Sequence, residues 1–307
     1  MMKVLVTGGC GFIGSHIVDL LVQEQHDVMV VDDLSTGKQE HVNPHAQYVV
    51  SSINAPEFDA AVEKFKPEAI IHQAAQVSVP RSIDNPLKDE EINIRGSLQV
   101  IESAKNHGVR KIIFASSAAV YGNPEYLPVD TDHPTKPMAP YGVSKFSVEK
   151  YLQMAQSLHG IDYTILRYGN VYGPRQDALG EGGVIAIFAE SLGRGEAPFI
   201  FGDGEQTRDF VYVQDVARAN VKALTHGDNK ILNVSSADKI TIKELFFLMN
   251  EISGNSLEPI YKEERSGDIR DSVLSNSDTI LALDWNAGVS LPQGLANTLE
   301  FYKSASK

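Results

Sequence analysis

The 307-residue chain has one cysteine, Cys10, and one tryptophan. A single cysteine excludes an intramolecular disulfide and a cysteine-ligated zinc cluster. The nine histidines show no metal-ligand spacing. His41 and His45, which come nearest to it, are separated by Pro44, and a proline prevents them from sharing a helical face. The sequence therefore predicts no metal site.

Positive charge and long apolar runs are also scarce. The chain carries 27 Lys and Arg against 40 Asp and Glu, a formal net charge of −13. Binding to nucleic acid or to an anionic membrane needs a basic surface, so neither is expected as a partner. No apolar run reaches transmembrane length, and Met1 leads directly into the first strand-like segment. We therefore expect a cytoplasmic protein.

Hydrophobic residues make up 42% of the chain, enough for a substantial core, and the first half alternates strand-like with helix-like segments. This alternation predicts an α/β fold with a Rossmann-type, doubly wound parallel sheet. The chain becomes rich in Gly and Pro after about residue 169, which predicts a smaller C-terminal α/β substrate domain. We place the domains at 1–169 and 170–307, with a discontinuous boundary if segments after 210 return to the first domain. The predicted strands are Lys3–Thr7, Val28–Val31, Tyr48–Val50, Ala69–His72, Lys111–Ala115 and Tyr163–Arg167, and the predicted helices include Ile92–His107, Val184–Leu192, Val216–Leu224 and Ile242–Ile252.

A glycine-rich segment, TGGCGFIG at positions 7–14, joins the first predicted strand to an amphipathic helix. Glycines at such a turn let backbone N–H groups approach a pyrophosphate, and the helix N-terminus favours the negative charge. Glycines alone are also compatible with a merely flexible loop. The second strand ends at Asp32, at roughly the ~20-residue offset where an acid binds the adenosine ribose. The carboxylate would repel a 2′-phosphate, so the sequence favours NAD over NADP.

Two further segments suit proton transfer: SAAVY at 117–121 and YGVSK at 141–145. Tyr141 and Lys145 are one helical turn apart and therefore share a face. The ordinary tyrosine pKa is about 10, but a nearby ammonium group favours the phenolate, so Tyr141 can act as general base or acid. Ser117, at a strand end, can orient the substrate and relay the proton. By itself, the Tyr and Lys spacing is also compatible with a core tyrosine beside a snorkelling lysine.

Together these motifs resemble the extended short-chain dehydrogenase/reductase family, and within it the UDP-glucose (UDP-hexose) 4-epimerases, over essentially the whole chain. The resemblance implies reversible, NAD-dependent 4-epimerisation of UDP-glucose and UDP-galactose, a reaction of galactose metabolism. Tyr141 would remove the C4 hydroxyl proton while the C4 hydride passes to bound NAD, and the 4-keto sugar would then turn and take the hydride back. Related dehydratases and decarboxylases carry acids in the two positions after the Ser or Thr. Ala118 and Ala119 stand there, which favours epimerisation.

The resemblance also assigns residues by their motifs. Asn170 would contact the UDP phosphates, Phe201 the uracil, and Asp268 the uridine ribose, while Arg208 and Arg265 would bind the diphosphate. The implied catalytic residues are Tyr141, Lys145 and Ser117. The implied cofactor-binding residues are Gly8, Gly11, Phe12, Ile13, Gly14, Asp32, Ser52, Ile53, Ala74, Asn93, Ser116, Tyr141, Lys145 and Tyr168. The implied substrate-binding residues are Ser117, Tyr141, Asn170, Val184, Phe201, Arg208, Arg265, Asp268 and Ser272.

Two positions depart from the family pattern. Ser52 stands where an adenine-contacting acid is common, which predicts a weaker hold on adenine. Ser272 is small where galactose-restricted relatives have a bulky Tyr, so we hypothesise that UDP-N-acetylglucosamine and UDP-N-acetylgalactosamine also fit.

Three alternative functions remain at this stage. A UDP-glucuronate 4-epimerase shares the chemistry, although Asp177 and Glu181 argue against a site for a carboxylated sugar. A non-catalytic NAD-binding sensor commonly lacks the Tyr or the Lys, and both are present here. A sugar-nucleotide reductase would prefer NADPH, which Asp32 disfavours. The family also suggests a homodimer in which helices at 92–104 and 145–158 form a four-helix bundle, unless their apolar faces are intramolecular core.

Overall fold

The structure is a computed structural model that describes residues 1–178, 183–264 and 269–305. Its strands are β1 Lys3–Thr7, β2 Asp27–Asp32, β3 Gln47–Val50, β4 Ala69–His72, β5 Lys111–Ser117, β6 Asp162–Tyr168, β7 Asn170–Tyr172, β8 Phe199–Phe201, β9 Thr207–Tyr212, β10 Lys230–Val234, β11 Lys239–Thr241 and β12 Ile260–Lys262. Its helices are α1 Phe12–Gln23, α2 Pro56–Phe65, α3 Val79–Asp84, α4 Pro86–Asp89, α5 Gly96–Asn106, α6 Pro140–His159, α7 Val184–Gly193, α8 Val213–Lys222, α9 Ile242–Ser253, α10 Ser277–Leu283 and α11 Leu291–Ala305.

Seven strands form one parallel sheet in the order β3-β2-β1-β4-β5-β6-β10. The chain runs outward from β1 to β3 and then returns to β4 on the other side of β1. In doubly wound sheets a ligand crevice opens beside the carboxyl ends of the strands at such a reversal. The predicted Rossmann-type fold class is confirmed.

Side chains of the sheet alternate between two buried cores, as the period of a strand requires. In β1, Val4 and Val6 face a core with α1 and α8, whereas Leu5 faces a core with α2, α5 and α6. Both faces of the sheet are therefore covered by helices, and its strands read as continuous apolar runs.

The C-terminal part has its own core. A three-stranded sheet, β7-β9-β11, and a two-stranded sheet, β8-β12, accompany helices α7, α9 and α11. Each of these helices contributes a side chain to one buried apolar cluster, namely Phe188, Phe246 and Leu295. A smaller α/β unit therefore follows the large sheet.

The structure differs from the sequence-based elements in several places, and the short strands β7, β8, β9, β11 and β12 were not predicted. Lys230–Val234 was not predicted as a strand but is the edge strand β10, paired with β6. The helix predicted from Ile92 is a π-helical turn at Glu90–Arg95 followed by α5. Hydrophobic periodicity does not distinguish the two helix types. The division into a cofactor domain and a substrate domain stays a prediction.

Within the described residues, no helix is long and apolar enough to cross a membrane, and no cluster of three or more His, Cys, Asp or Glu is arranged to hold a metal ion.

Candidate active site

The glycine loop between β1 and α1 is packed too closely for side chains. Gly8 has φ +68°, and a Cβ there would lie 2.7 Å from the backbone nitrogen of Ala74. A Cβ on Gly14 would lie 2.1 Å from the carbonyl oxygen of Gly8. Gly11 is the extended residue before α1 and contributes no capping side chain, so the N–H groups at Phe12 and Ile13 stay open to an anion. The loop therefore fits the pyrophosphate of a dinucleotide.

Asp32 lies at the carboxyl end of β2, beside this loop, and is buried. Its Oδ2 accepts a hydrogen bond from Cys10 N at 2.9 Å, and its Oδ1 accepts one from Leu34 N at 2.8 Å. Burial raises the pKa of this carboxyl group, and the two amide hydrogen bonds oppose that shift. Each oxygen keeps a lone pair for a ribose hydroxyl, so the acid is placed as an NAD site requires.

Three candidate cofactor contacts, Ser52, Ile53 and Ala74, differ in their surroundings. Ser52 Oγ accepts a hydrogen bond from Asn54 N at 3.2 Å. Ile53 is buried in the apolar core, where a Cβ added to Gly96 would lie 2.5 Å from its Cδ1. Ala74 N donates to Thr7 Oγ1 at 3.2 Å. The side chain of Ile53 therefore serves packing, and a nucleotide contact there would involve its backbone.

Ser117 and Tyr141 line one cavity of about 470 Å³. Ser117 ends β5, and its Oγ accepts a hydrogen bond from Ala119 N at 3.1 Å, a bond that leaves the hydroxyl proton for another acceptor. Tyr141 lies in the first turn of α6, which begins with Pro140, a favoured first helical residue. The two side chains thus meet at the carboxyl edge of the sheet.

Lys145 is buried one turn further along α6. Its Nζ donates a hydrogen bond to the carbonyl oxygen of Ala115 at 2.9 Å and lies 4.9 Å from the ring centroid of Phe114 and 5.9 Å from that of Tyr141. Burial lowers the pKa of Lys145 to about 8, and the charge of Asp89 opposes the shift. The group is still mostly protonated at neutral pH, where its charge favours the phenolate of Tyr141.

Asn93 connects the π-helical turn to the catalytic helix. Its Oδ1 accepts a hydrogen bond from Gln76 N at 2.8 Å, and its Nδ2 donates to Asp89 Oδ1 at 3.0 Å and Ser144 Oγ at 3.2 Å. Ser144 Oγ in turn donates to the carbonyl oxygen of Tyr141 at 2.9 Å. Asn93 is therefore placed to anchor α6.

A buried histidine extends this polar chain to the glycine loop. Ser97 Oγ donates to Asn93 O at 2.5 Å, so it must accept the 2.9 Å hydrogen bond from His72 Nε2. The other ring nitrogen, Nδ1, therefore accepts from Thr7 Oγ1 at 2.7 Å. Burial, together with the charge of Lys145, lowers the pKa of His72 to about 3. The imidazole is neutral and protonated on Nε2.

Ser116 and Tyr168, two other candidate cofactor contacts, are buried and use their hydroxyl groups within the protein. Ser116 Oγ donates to Glu149 Oε1 at 2.6 Å. Tyr168 Oη accepts from Gln73 Nε2 at 3.0 Å and also bonds to Asn220. We expect these two residues to contact a cofactor through their backbone.

Four candidate substrate residues line the same cavity as Ser117 and Tyr141. They are Asn170, Val184, Phe201 and Arg208. Asn170 Nδ2 donates to Asp209 O at 3.1 Å, and the Arg208 guanidinium donates to Thr207 O at 2.7 Å. The cavity thus combines a proton-transfer pair with an arginine.

The three remaining substrate candidates are Arg265, Asp268 and Ser272. Arg265 and Asp268 lie outside the described residues. Ser272 is half-buried, and its backbone N–H donates to Thr207 O at 3.2 Å. It is not among the described residues that line the cavity.

Two glutamines of the cavity wall, Gln176 and Gln206, were not predicted from the sequence. Gln176 Nε2 donates to Val171 O at 3.2 Å, and Gln206 Nε2 donates to Phe201 O at 2.9 Å. The buried Oε1 of each has no hydrogen-bond partner among the described residues. The position of Gln206 was a usable signal, because it lies two residues before Arg208, which the resemblance assigns to substrate binding; Gln176 lies six residues after Asn170 and had no such signal.

The fold is of the Rossmann type, and Ser117, Tyr141 and Lys145 lie together at the carboxyl edge of its large sheet. The model of the NAD dependent epimerase/dehydratase family matches residues 4–235, and the chain belongs to that family.

Named relatives match the chain over its whole length. A putative UDP-glucose 4-epimerase of Methanocaldococcus jannaschii is 43% identical over 99% of both chains. The crystal structure of a UDP-glucose 4-epimerase with UDP-glucose from Thermotoga maritima has 44% identity and a TM-score of 0.97 over 100% of both chains. A UDP-N-acetylglucosamine 4-epimerase from Methanobrevibacter ruminantium, solved with UDP-N-acetylmuramic acid, has 35% identity and a TM-score of 0.95 over 99% of both chains.

Proposed function

We propose that this chain is an NAD-dependent UDP-glucose 4-epimerase that interconverts UDP-glucose and UDP-galactose. The observation that carries the proposal is the single cavity where Ser117 and Tyr141 meet Asn170 and Arg208. A proton-transfer pair beside a diphosphate-binding arginine is what the reaction of a nucleoside-diphosphate sugar needs. The named relatives support the same activity.

The side chains have distinct proposed roles. Tyr141 takes the proton of the sugar C4 hydroxyl and returns it, Ser117 orients that hydroxyl, and the ammonium group of Lys145 keeps the phenolate accessible near neutral pH. When bound, NAD supplies a reversible hydride acceptor, so that a 4-keto sugar forms and is reduced again on its other face. Ala118 and Ala119 offer no acid for eliminating a hydroxyl group, which favours epimerisation over dehydration.

The cofactor and nucleotide contacts are also proposals. Gly8, Gly11 and Gly14 hold the pyrophosphate of NAD, and Asp32 accepts hydrogen bonds from its adenosine ribose. Arg208 and Asn170 bind the UDP diphosphate, and Phe201 packs against the uracil ring. The close packing of the loop and the two N–H groups that orient Asp32 support the cofactor assignment.

Product formation tests this function. Purified protein is incubated with UDP-galactose without added NAD, and the 4-epimers are separated by chromatography. We expect UDP-glucose from the native chain and a loss of at least ~10²-fold in Tyr141→Phe, which keeps the ring but removes the acid/base. If the native chain forms no UDP-glucose even with added NAD, a UDP-glucuronate 4-epimerase or a non-catalytic NAD-binding sensor becomes the better assignment.

We further propose that the sugar site accepts UDP-N-acetylglucosamine and UDP-N-acetylgalactosamine. The similarity to a UDP-N-acetylglucosamine 4-epimerase supports this. The family resemblance assigns the small Ser272 to the sugar pocket, although Ser272 is not among the described residues that line the cavity. Ser272→Tyr should abolish conversion of the acetylated sugars and spare that of UDP-galactose. Equal loss of both activities, or no change in either, would contradict the proposed role of Ser272.

We also propose that the chain forms a homodimer through α6. Val143, Tyr151, Met154 and Leu158 expose apolar side chains along one side of this helix, and Leu158 is 68% exposed. Such a face is typical of a helix that packs against another. Light scattering should give a mass of about twice 33.6 kDa, and Leu158→Glu should shift it toward the monomer. A monomeric native protein would contradict this assignment.

The location and the domain division are proposals as well. We propose a cytoplasmic enzyme with a cofactor domain at 1–169 and a substrate domain at 170–307, some of whose later segments belong to the first domain. The pairing of β10 with β6 supports such a discontinuous division.

A further inference from the structure

A charged pair is buried behind the candidate catalytic residues. Glu149 of α6 and Arg167 of β6 have side-chain exposures of 0% and 3%. Arg167 Nε donates to Glu149 Oε1 at 2.9 Å, and its Nη2 donates to Oε2 at 2.6 Å. The two parallel hydrogen bonds fix both the distance and the orientation between helix and strand.

A second strand shares the same carboxylate. Ser116 of β5 donates to Glu149 Oε1 at 2.6 Å, and Ser116 is the register partner of Arg167. The Arg167 guanidinium lies 4.7 Å from the ring centroid of Tyr121, in the turn after β5. Glu149 therefore joins α6 to β5 and β6 at one level of the sheet.

The residues that meet at Glu149 are close along the chain to each proposed catalytic residue. Glu149 lies one helical turn beyond Lys145 and about two turns beyond Tyr141 on the same helix. Ser116 directly precedes Ser117. On the other side of Ser116, the carbonyl group of Ala115 accepts the hydrogen bond of Lys145 Nζ. A shift of α6 against β5 would change the position of Tyr141 relative to Ser117 and would break the Lys145 contact.

Stability alone does not account for the pair. Removing two charges from water opposes folding, and well-packed apolar residues often replace a buried pair at no loss of stability. Arg167 Nη1 also lacks a hydrogen-bond partner among the described residues. Apolar contacts, however, are not directional, so they would fix the position of α6 against β5 less sharply than these hydrogen bonds do.

We propose that the Glu149 and Arg167 pair is a positioning device that sets the register of α6 against β5, and thereby the geometry between Tyr141, Lys145 and Ser117. This inference rests on the proposed catalytic roles of those three residues. Glu149 and Arg167 do not line the cavity and are positioning residues, since they act through the backbone they hold.

The test compares an apolar replacement of the pair with a control on the same helix. The double variant Glu149→Leu/Arg167→Met removes the two hydrogen bonds between the pair and the one that Ser116 donates to Glu149, and it keeps an apolar filling. Leu152→Ala loosens the packing of α6 against the sheet but leaves the pair intact. Thermal unfolding, kcat, KM and the pH profile of kcat are measured for both variants and for the native protein with UDP-galactose.

We expect the melting temperature of the double variant to equal or exceed that of Leu152→Ala. Its kcat should fall ~10- to 100-fold, because a displacement of about 1 Å in a catalytic site can lower the rate 10²-fold. Its KM should change less than about threefold, because neither residue of the pair lines the cavity. The acid limb of its pH profile should move, because Lys145 would lie further from Tyr141. Leu152→Ala should melt lower than the native protein with its kcat and pH profile unchanged.

Two further variants decide the matter if the double variant does not fold. Arg167→Lys keeps the charge but not the two parallel hydrogen bonds, so it should lower kcat as well. Glu149→Gln keeps the shape of the side chain but removes its charge, and it should also lower kcat. Native kcat and pH profile in the folded double variant, or in both single variants, would overturn the inference.

The outcome for Tyr141→Phe separates this inference from the proposed function. If Tyr141→Phe is inactive while the double variant has native turnover, only the positioning role fails. If Tyr141→Phe keeps native turnover, the proposed catalytic roles fail and the positioning role fails with them.

Discussion

Replacement of Lys145 by methionine should stabilise the folded chain and at the same time slow the reaction strongly. Burial lowers the pKa of Lys145 from 10.5 to about 8. At about 1.4 kcal/mol per pKa unit, keeping the ammonium group in this site costs about 3 kcal/mol. Methionine fills a similar volume but gives up the hydrogen bond to Ala115 and the contact with the Phe114 ring, together worth about 2 kcal/mol. The net expectation is a gain of about 1 kcal/mol in unfolding free energy at pH 7.

The pH dependence of this difference gives the sharper test. Because the folded-state pKa lies below the unfolded-state value, the unfolded chain binds more protons between pH 8 and 10.5. The penalty is present in full below about pH 8 and is relieved as the pH rises toward 10.5. The native protein should therefore gain about 2 to 3 kcal/mol relative to Lys145→Met between pH 7 and pH 10, and the order of stability should reverse.

Urea unfolding followed by the fluorescence of Trp285, the single and buried tryptophan, measures both quantities. Lys64→Met, at an exposed position of α2, is the control and should show no such pH-dependent difference. In the activity assay, Lys145→Met should lose ~10²- to 10⁴-fold in kcat. A Met variant that is less stable at pH 7 by an amount that does not vary with pH would refute the argument from burial.

Two further predictions concern the cofactor. Gly14→Ala places a Cβ 2.1 Å from the carbonyl oxygen of Gly8, so this variant should purify without NAD. Gly193→Ala is the control and should retain NAD, because nothing lies within 4 Å of a Cβ at that position. The absorbance at 260 nm of the released nucleotide measures the NAD content of both variants. Asp32→Asn should weaken NAD binding ~10- to 100-fold in titration calorimetry, because the hydrogen bonds from the adenosine ribose would lose their charged acceptor. The variant should also show a smaller preference for NAD over NADP. An unchanged affinity for both dinucleotides would place the ribose elsewhere.

The sheet strands β1 to β6 could be predicted because each is a short apolar run bounded by turn residues. Their parallel order followed from the alternation with helices. The edge strand β10 could not be assigned in the same way, because the buried Asn233 interrupts the apolar run of Lys230–Val234. Only the tertiary structure identifies its partner.

The candidate site was predictable where a motif fixes local geometry, as at Gly14, Tyr141 and Lys145. The supporting charges were not predictable. Glu149 and Arg167 look like ordinary charged residues in the sequence, because burial with a partner depends on how α6 packs against β6. The same holds for the neutral His72, whose two hydroxyl partners come from separate elements.

The central claim is that the hydrogen at C4 leaves the sugar and returns to it without exchange with water. UDP-galactose labelled with deuterium at C4 is converted by the native protein in ordinary water, and the UDP-glucose formed is examined by mass spectrometry and NMR. The proposed function predicts that the product retains deuterium at C4. Loss of the label to solvent would show that C4 exchanges as a proton and would contradict the account.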